Sequence, residues 1–248
     1  MKKPAVIYGF HAIKSRLKHF PQTLEDVYID QERNDQRMQE IKALLEEKGL
    51  NAKRVDGQRL QGLTGTRRHQ GIVALASAVP MIHDLDHLVE TYQQSLLLLV
   101  LDGIQDPHNL GACLRVADAM GVHAIIAPKD RSVALSPTVA KVASGAMDVI
   151  PYIPVTNLAR TLRDLKDQNI WIIGTDDQAK EDLFSAEFSQ PLAWVLGAEG
   201  EGLRRLTRET CDQLVRIPMF GSVESLNVSV AAGICLYETK RRENTALA

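Results

Sequence analysis

Three short segments of small and polar residues stand on apolar runs near the C-terminus: Leu196-Gly197-Ala198-Glu199-Gly200-Glu201-Gly202, Arg216-Ile217-Pro218-Met219 and Ser225-Leu226-Asn227-Val228-Ser229. Leu192-Ala193-Trp194-Val195 and Leu214-Val215 precede the first two, so both are expected where strands deliver loops to a sheet edge, the usual ligand position in α/β proteins. Together they predict one cofactor pocket. The glycines are spaced GxxGxG, late in the chain, whereas a dinucleotide fold needs GxGxxG opening a helix near the start of its domain. Neither a GxxxxGK[ST] phosphate cradle nor a GxSxG nucleophile elbow occurs. Cys113, Cys211 and Cys235 are too few and too scattered for a disulfide framework or a CxxC metal site, so no metal is expected and a reducing cytoplasm is. Taken singly, Glu199 reads as a turn acid, Ser225 and Asn227 as helix caps, and the glycines as turn residues.

The elements that must carry these segments form an α/β pattern. Near-continuous apolar runs at 96–101, 122–127, 149–153, 171–174, 192–196 and 214–217 alternate with helical stretches at 110–120, 137–143, 158–167 and about 226–242. Apolar strands separated by helices imply a parallel sheet covered on both faces. The opening third alternates runs at 5–8, 27–30, 52–55 and 71–76 with helical segments. The clearest of these is 36–48, where Met38, Ile41, Leu44 and Leu45 recur at helical spacing, Asn34 is the expected N-cap and Gly49 the stop. Two domains are therefore predicted, 1–77 and 96–248, joined by a linker over 78–95 that holds Pro80, Asp84, Asp86 and Glu90 and has room for one helical turn or two. With 45% apolar residues in 248, both can bury a core. Met1-Lys2-Lys3 followed by Ala5-Val6-Ile7-Tyr8 mimics a signal start, but Gly9 and His11 break the run too early, and no stretch reaches membrane-spanning length.

The near-neutral net charge hides an asymmetry. Residues 1–77 carry 14 Lys and Arg against 9 Asp and Glu, while 96–248 carry 15 against 19. The basic excess concentrates in Lys53, Arg54, Arg59, Arg67, Arg68 and His69, read as loops punctuated by Gly57, Gly62, Gly65 and Gly71. Such a stretch suits contact with a phosphate backbone, and equally an ordinary solvated surface.

Asn109-Leu110-Gly111-Ala112-Cys113-Leu114-Arg115, preceded by Leu101-Asp102-Gly103-Ile104-Gln105-Asp106-Pro107, resembles the first motif of the SpoU/TrmH RNA 2′-O-ribose methyltransferases. The segments at 196–203 and 217–231 resemble the second and third, in the same order. Tyr8-Gly9-Phe10-His11-Ala12 and His69-Gln70-Gly71-Ile72-Val73 are similar to the substrate domain of the branch that methylates a guanosine in the peptidyl-transferase region of 23S ribosomal RNA. The resemblance implies a small ribosomal protein L30e-like N-terminal domain and a C-terminal SPOUT domain tied in a deep trefoil knot. It further implies a homodimer through the knotted domain and S-adenosylmethionine as methyl donor. Asn109, Arg115, Glu199, Ser225 and Asn227 are the implied catalytic set, and Gly197, Gly202, Ile217, Met219 and Leu226 the implied cofactor contacts. Arg54, Arg59, Arg67, Arg68 and His69 are candidates for RNA.

A ribose 2′-hydroxyl is a poor nucleophile, so its proton must be handled while donor and acceptor are held in line. Asn109 can cap the helix from whose second turn Arg115 projects. The resemblance implies that Arg115 meets the target nucleotide's phosphate or acts in deprotonation; because a guanidinium holds its proton far above neutral pH, the preferred reading is a phosphate clamp that stabilises the developing alkoxide. Three readings stand: methylation of large-subunit ribosomal RNA, methylation of another RNA such as transfer RNA, and a non-catalytic RNA-binding assembly module.

Overall fold

The computed structural model describes residues 4–77 and 83–246, with the side chains of His11, His19 and 244–246 left aside; Pro80 and the rest of 78–82 lie outside the described residues. The chain divides into two compact units, Met1–Pro80 and Met81–Ala248.

In the first unit the order is β1 (Ala5–Tyr8), α1 (Phe10–His19), β2 (Leu24–Asp30), α2 (Gln36–Glu47), β3 (Ala52–Val55), α3 (Gly57–Thr64) and β4 (Ile72–Ala76). The sheet order is β1-β4-β2-β3, with β4 antiparallel to both neighbours and β3 parallel to β2. Ile13, Leu17, Met38, Ile41 and Leu45, spaced by three and four on α1 and α2, bury against Val27, Ile29, Ile72 and Ala74. Asp35, not Asn34, caps α2, its carboxylate accepting from the Met38 amide at 3.1 Å. The two N-terminal motifs meet: the Gln70 side chain accepts from Phe10 N at 3.1 Å, at the start of α1, and the Arg33 guanidinium lies 4.7 Å from the Phe10 ring centre.

The second unit continues with α4 (Leu85–Tyr92), β5 (Leu97–Asp102), α5 (Pro107–Ala119), β6 (Ala124–Pro128), α6 (Pro137–Ala143), β7 (Tyr152–Val155), α7 (Leu158–Asp167), β8 (Trp171–Thr175), β9 (Glu181–Asp182), β10 (Leu192–Gly197), α8 (Arg205–Thr210), β11 (Gln213–Arg216) and α9 (Val228–Ala246). All pairings between these strands are parallel, in the order β7-β6-β5-β10-β8-β11-β9. Side chains alternate across the sheet: Leu97, Leu99 and Leu101 enter the core shared with α5, α6 and α9, while Leu96, Leu98 and Val100 enter the one shared with α4 and α7. Burial on both faces is why these strands read as unbroken apolar runs.

The stretch expected as a linker with one helical turn or two holds the helix α4. Asp84 caps α4 by accepting from the Asp86 and His87 amides, and Leu88 is buried in the core of the second unit with Leu85, Val89 and Tyr92 packed on it. The expected run of basic loops is corrected. Residues 57–64 are helical because Asp56 accepts from Arg59 N at 2.7 Å and Gly65 ends the helix in a left-handed conformation. Arg54 therefore stands on a strand, Arg59 on a helix and Arg67 and Arg68 on a loop.

Two features of this core make measurable predictions. A Cβ at Gly111 would lie 2.6 Å from Val142 Cβ and 2.9 Å from Val139 O, so α5 and α6 touch only because this position is glycine. Gly111→Ala is expected to cost about 1–3 kcal/mol, as overpacking does. Thermal unfolding would register this as roughly 2–4 °C for each kcal/mol. At the other end of the unit, Arg241 and Arg242 donate to Glu238 at 2.7–2.8 Å and hold its carboxyl at about 2. Arg242 also donates to the carbonyls of Leu183, Phe184 and Ala186, tying α9 to that loop. The depressed carboxyl stabilises the fold fully above its ordinary value of 4.5, and this is lost as pH falls towards 2. Melting curves should show the gap between wild type and Glu238→Gln closing over that window.

Candidate active site

The C-terminal ends of β5, β10, β8 and β11 converge on one edge of the parallel sheet. Asp102 lies beside Gly197 in register, so the loops after β5 and β10 leave the sheet side by side. The β11 end delivers Ile217 and Met219, and the chain then runs through Ser225 and Leu226 into α9. These loops enclose a cavity of about 440 Å³, within the roughly 300–1,000 Å³ of small-ligand pockets. Every residue from Leu196 to Leu203 lines it, together with Ile217, Met219, Ser225, Leu226, Val228 and Ala231. The structure thus brings Gly197, Gly202, Ile217, Met219 and Leu226 to one wall-and-floor arrangement, with Glu199 and Ser225 on its lining.

The loop doubles back tightly. Gly202 N donates to Ala198 O at 2.9 Å, and a Cβ on Gly197 would fall 2.1 Å from Gly202 C, so the two limbs of the loop lie in backbone contact. Beside the cavity a polar triangle closes. Asn227 Nδ2 donates to Glu199 Oε1 at 2.6 Å and to Asn109 Oδ1 at 2.8 Å, and Asn109 Nδ2 donates to Glu199 Oε1 at 3.3 Å. The Val228 amide is a third donor to the same Glu199 oxygen at 3.4 Å. Asn227 Oδ1 accepts from the Ser229 amide at 2.9 Å and its carbonyl from Val230 and Ala231, so it starts α9 while its amide group serves the triangle.

Asn109 does not cap α5. Asp106 does, accepting from His108 N at 2.8 Å, with Pro107 as first helical residue, and this leaves Asn109 in the first turn with its side chain directed at Glu199. Arg115 is not gathered into the triangle or the cavity lining. It is exposed on α5 and makes no hydrogen bond or ion pair among the described residues. Cys113, one turn behind Asn109, is buried, which pushes its thiol up to about 12 and leaves it inert.

Several lining residues escaped the sequence reading. Thr175 ends β8, Asp176, Asp177 and Gln178 follow it, and Arg208 on α8 pairs with Asp176 at 2.7 Å. The available signal was positional: a polar Thr-Asp-Asp-Gln turn directly after an apolar strand.

In the first unit Arg54, Arg59, Arg67 and Arg68 are exposed, and none of the four guanidiniums has a protein partner among the described residues. His69 is half-buried and accepts from the Gly71 amide through Nδ1 at 3.1 Å, which shapes the turn. Arg54, Lys42, Glu46 and Asn51 rim a second cavity of about 490 Å³ over Ile29, Leu45 and Leu50. Among the described residues no helix is long and apolar enough to cross a membrane, and no three His, Cys, Asp or Glu side chains gather as a metal set.

Residues 96–237 match the model of the SpoU rRNA methylase family, and residues 6–81 match that of the RNA 2′-O ribose methyltransferase substrate-binding domain. A 23S rRNA (guanosine-2′-O-)-methyltransferase RlmB of Ralstonia nicotianae is 56% identical over 98% of each chain. The protein of the same name from Neisseria meningitidis serogroup B is 52% identical over 95% of this chain and 94% of its own. Among solved structures, an RNA 2′-O ribose methyltransferase is 28% identical over 97% of this chain and 89% of that one, with a TM-score of 0.68. The SpoU methyltransferase AviRb from Streptomyces viridochromogenes, solved with AdoMet, shares the fold at a TM-score of 0.67 and 24% identity, over 97% of this chain and 90% of that one. A parallel-sheet unit whose knuckled loop and polar triangle are built from three ordered motifs, preceded by a substrate-binding unit, places this chain in the SpoU rRNA methylase family.

Proposed function

We propose that this protein methylates the ribose 2′-hydroxyl of a guanosine in the peptidyl-transferase region of 23S ribosomal RNA, with S-adenosylmethionine as donor. The observation that carries the reading is the 440 Å³ cavity at the sheet edge with the Asn109–Glu199–Asn227 triangle beside it. Relatives 49–56% identical over nearly the whole chain bear the corresponding name. The cavity suits the donor: Ile217, Met219, Leu226 and Ala231 offer apolar contact, and Gly197, Gly200 and Gly202 add no side chain to its lining. Bound there, the donor supplies a methyl group already activated on a cationic sulfur.

The residues of the chain then bind, orient and stabilise. Glu199 Oε1, which already accepts three hydrogen bonds, fixes the two amides of Asn227 and Asn109 and acts as an orienting acceptor. Arg115, unpartnered and permanently charged, clamps the target phosphate and stabilises the developing alkoxide, while water or phosphate takes the proton. Ser225, exposed on the cavity lining, faces the target ribose. Arg54, Arg59, Arg67, Arg68 and His69 contact the RNA backbone.

A homodimer through the second unit belongs to the same proposal. Val230 and Tyr237, seven residues apart on α9, are 49% and 61% exposed, an apolar stripe a second copy would cover. The deep trefoil knot is proposed too, supported by β10 inserting between β5 and β8 and by α9 returning against α5 and β10. The reducing cytoplasm, where ribosomal RNA is made, is the expected compartment. The deciding experiment transfers labelled methyl from S-adenosylmethionine to a protein-free 23S fragment and to transfer RNA, with the product nucleoside identified by mass spectrometry. 2′-O-methylguanosine in the ribosomal fragment alone is expected. Label in transfer RNA instead would move the substrate, and donor binding without label in either would favour an assembly role.

A further inference from the structure

Asp102 ends β5 and is the one buried carboxylate among the described residues. It lies beside Gly197, where the cavity-lining loop leaves the sheet, and its Oδ2 accepts from the backbone N–H of Arg204 at 3.0 Å, where the same loop ends. Its Oδ1 has no hydrogen-bond partner; the nearest charge is the Arg204 guanidinium, 3.5 Å away and 40% exposed. That guanidinium sits over Gly103, where a Cβ would come within 2.9 Å of Nη2. A carboxylate buried with one oxygen unmet costs stability, and an apolar residue would cost less. Such a group persists where it has work to do beyond packing.

We infer that Asp102 is a positioning residue for the donor site: by holding the Arg204 N–H it closes the loop 197–203 against the sheet and keeps the cavity wall in place. The inference rests on reading that cavity as the donor's. The loop has one end secured by the β5–β10 ladder, and the Asp102 carboxylate secures the other. Between them the loop is braced by Gly202 N to Ala198 O and by the contacts of Glu199. Release at Arg204 therefore frees a wall that every residue from 197 to 203 helps to form.

Arg204 allows a clean separation of backbone from side chain. Its φ of −62° and ψ of 147° are values that proline adopts, but the ring Cδ would take the place of the donated hydrogen and press on Asp102 Oδ2, so Arg204→Pro breaks the contact both by removing the donor and by displacing the carboxylate, whereas Arg204→Ala keeps the N–H and removes only the guanidinium. Donor affinity is measured by calorimetry with S-adenosylmethionine on the full chain. Asp102→Ala and Arg204→Pro are each expected to weaken it at least ~10-fold, the scale of a lost hydrogen bond to a charged group. Asp102→Asn, which retains an accepting oxygen, should recover most of that loss, and Arg204→Ala should stay within about threefold of wild type. Affinity for the 23S fragment should be unchanged in all four. Wild-type donor affinity in Arg204→Pro would overturn the inference, as would an equal loss in Arg204→Ala, which would assign the effect to the guanidinium. Should Asp102→Ala fail to fold, Arg204→Pro and Asp102→Asn decide the question. A wild-type chain that binds no donor would instead overturn the reading of the cavity.

Discussion

Arg115→Ala is expected to lower methyl transfer by roughly 10²–10³-fold, the range for removing one preorganised charge-stabilising donor, while donor affinity stays within about twofold. The separation follows from where Arg115 stands. It projects from α5 into solvent, lines no part of the cavity, and has no partner among the described residues, so nothing in the donor site depends on it. Its charge becomes useful only when an anion arrives, and the ribose oxygen and its neighbouring phosphate are the anions of this reaction. Arg115→Lys keeps the charge and loses the planar two-pronged donor geometry, so an intermediate rate is expected. Single-turnover transfer of labelled methyl, with donor binding by calorimetry alongside, measures both quantities. Retention of nearly full turnover in Arg115→Lys would dispose of the bidentate clamp, and loss of donor affinity in Arg115→Ala would move the residue into the cofactor site.

Gly197→Ala acts on the opposite side of the reaction. The added Cβ would meet Gly202 C at 2.1 Å, Gly202 O at 2.2 Å and Leu203 N at 2.4 Å, all backbone atoms that no rotamer change can clear. Gly197 itself is held in the sheet beside Asp102, so the returning limb of the loop must move. A displacement on the order of 1 Å in the alignment of reacting groups costs roughly 100-fold in rate, and that loss is expected in methyl transfer, with donor affinity lowered and about 1–3 kcal/mol of stability lost besides. Gly221→Ala is the control, because nothing lies within 4 Å of its Cβ and it lines no part of the cavity. Thermal unfolding with and without S-adenosylmethionine reads the losses of affinity and stability at once, because the donor-dependent gain falls with affinity. A Gly197→Ala protein that keeps the wild-type gain would show that the loop does not wall the donor site.

What could be read from the linear chain was whatever depends on neighbours in sequence. The unbroken apolar runs marked strands buried on both faces, the helices at 137–143 and 158–167 have the bounds their periodicity implied, and the three motif segments could be recognised by order and spacing. Even some local signals were outweighed: Gly57 and Gly62 masked a helix that Asp56 and Gly65 cap, and the short helix expected within the linker is docked through Leu88 on the core of the second unit. Asn109 seemed a cap until Asp106 and Pro107 took the helix start.

The candidate site itself needed the tertiary structure. Asn109, Glu199 and Asn227 are 90, 28 and 118 residues apart in their pairings, and no periodicity encodes that one carboxylate oxygen will receive both amides. Their meeting depends on β10 entering between β5 and β8, which sets Gly197 beside Asp102 and brings the turn after β8 to the cavity. Periodicity tells a residue which face to bury; which strand it buries against is settled only when the long-range pairings of the whole sheet compete for the same core.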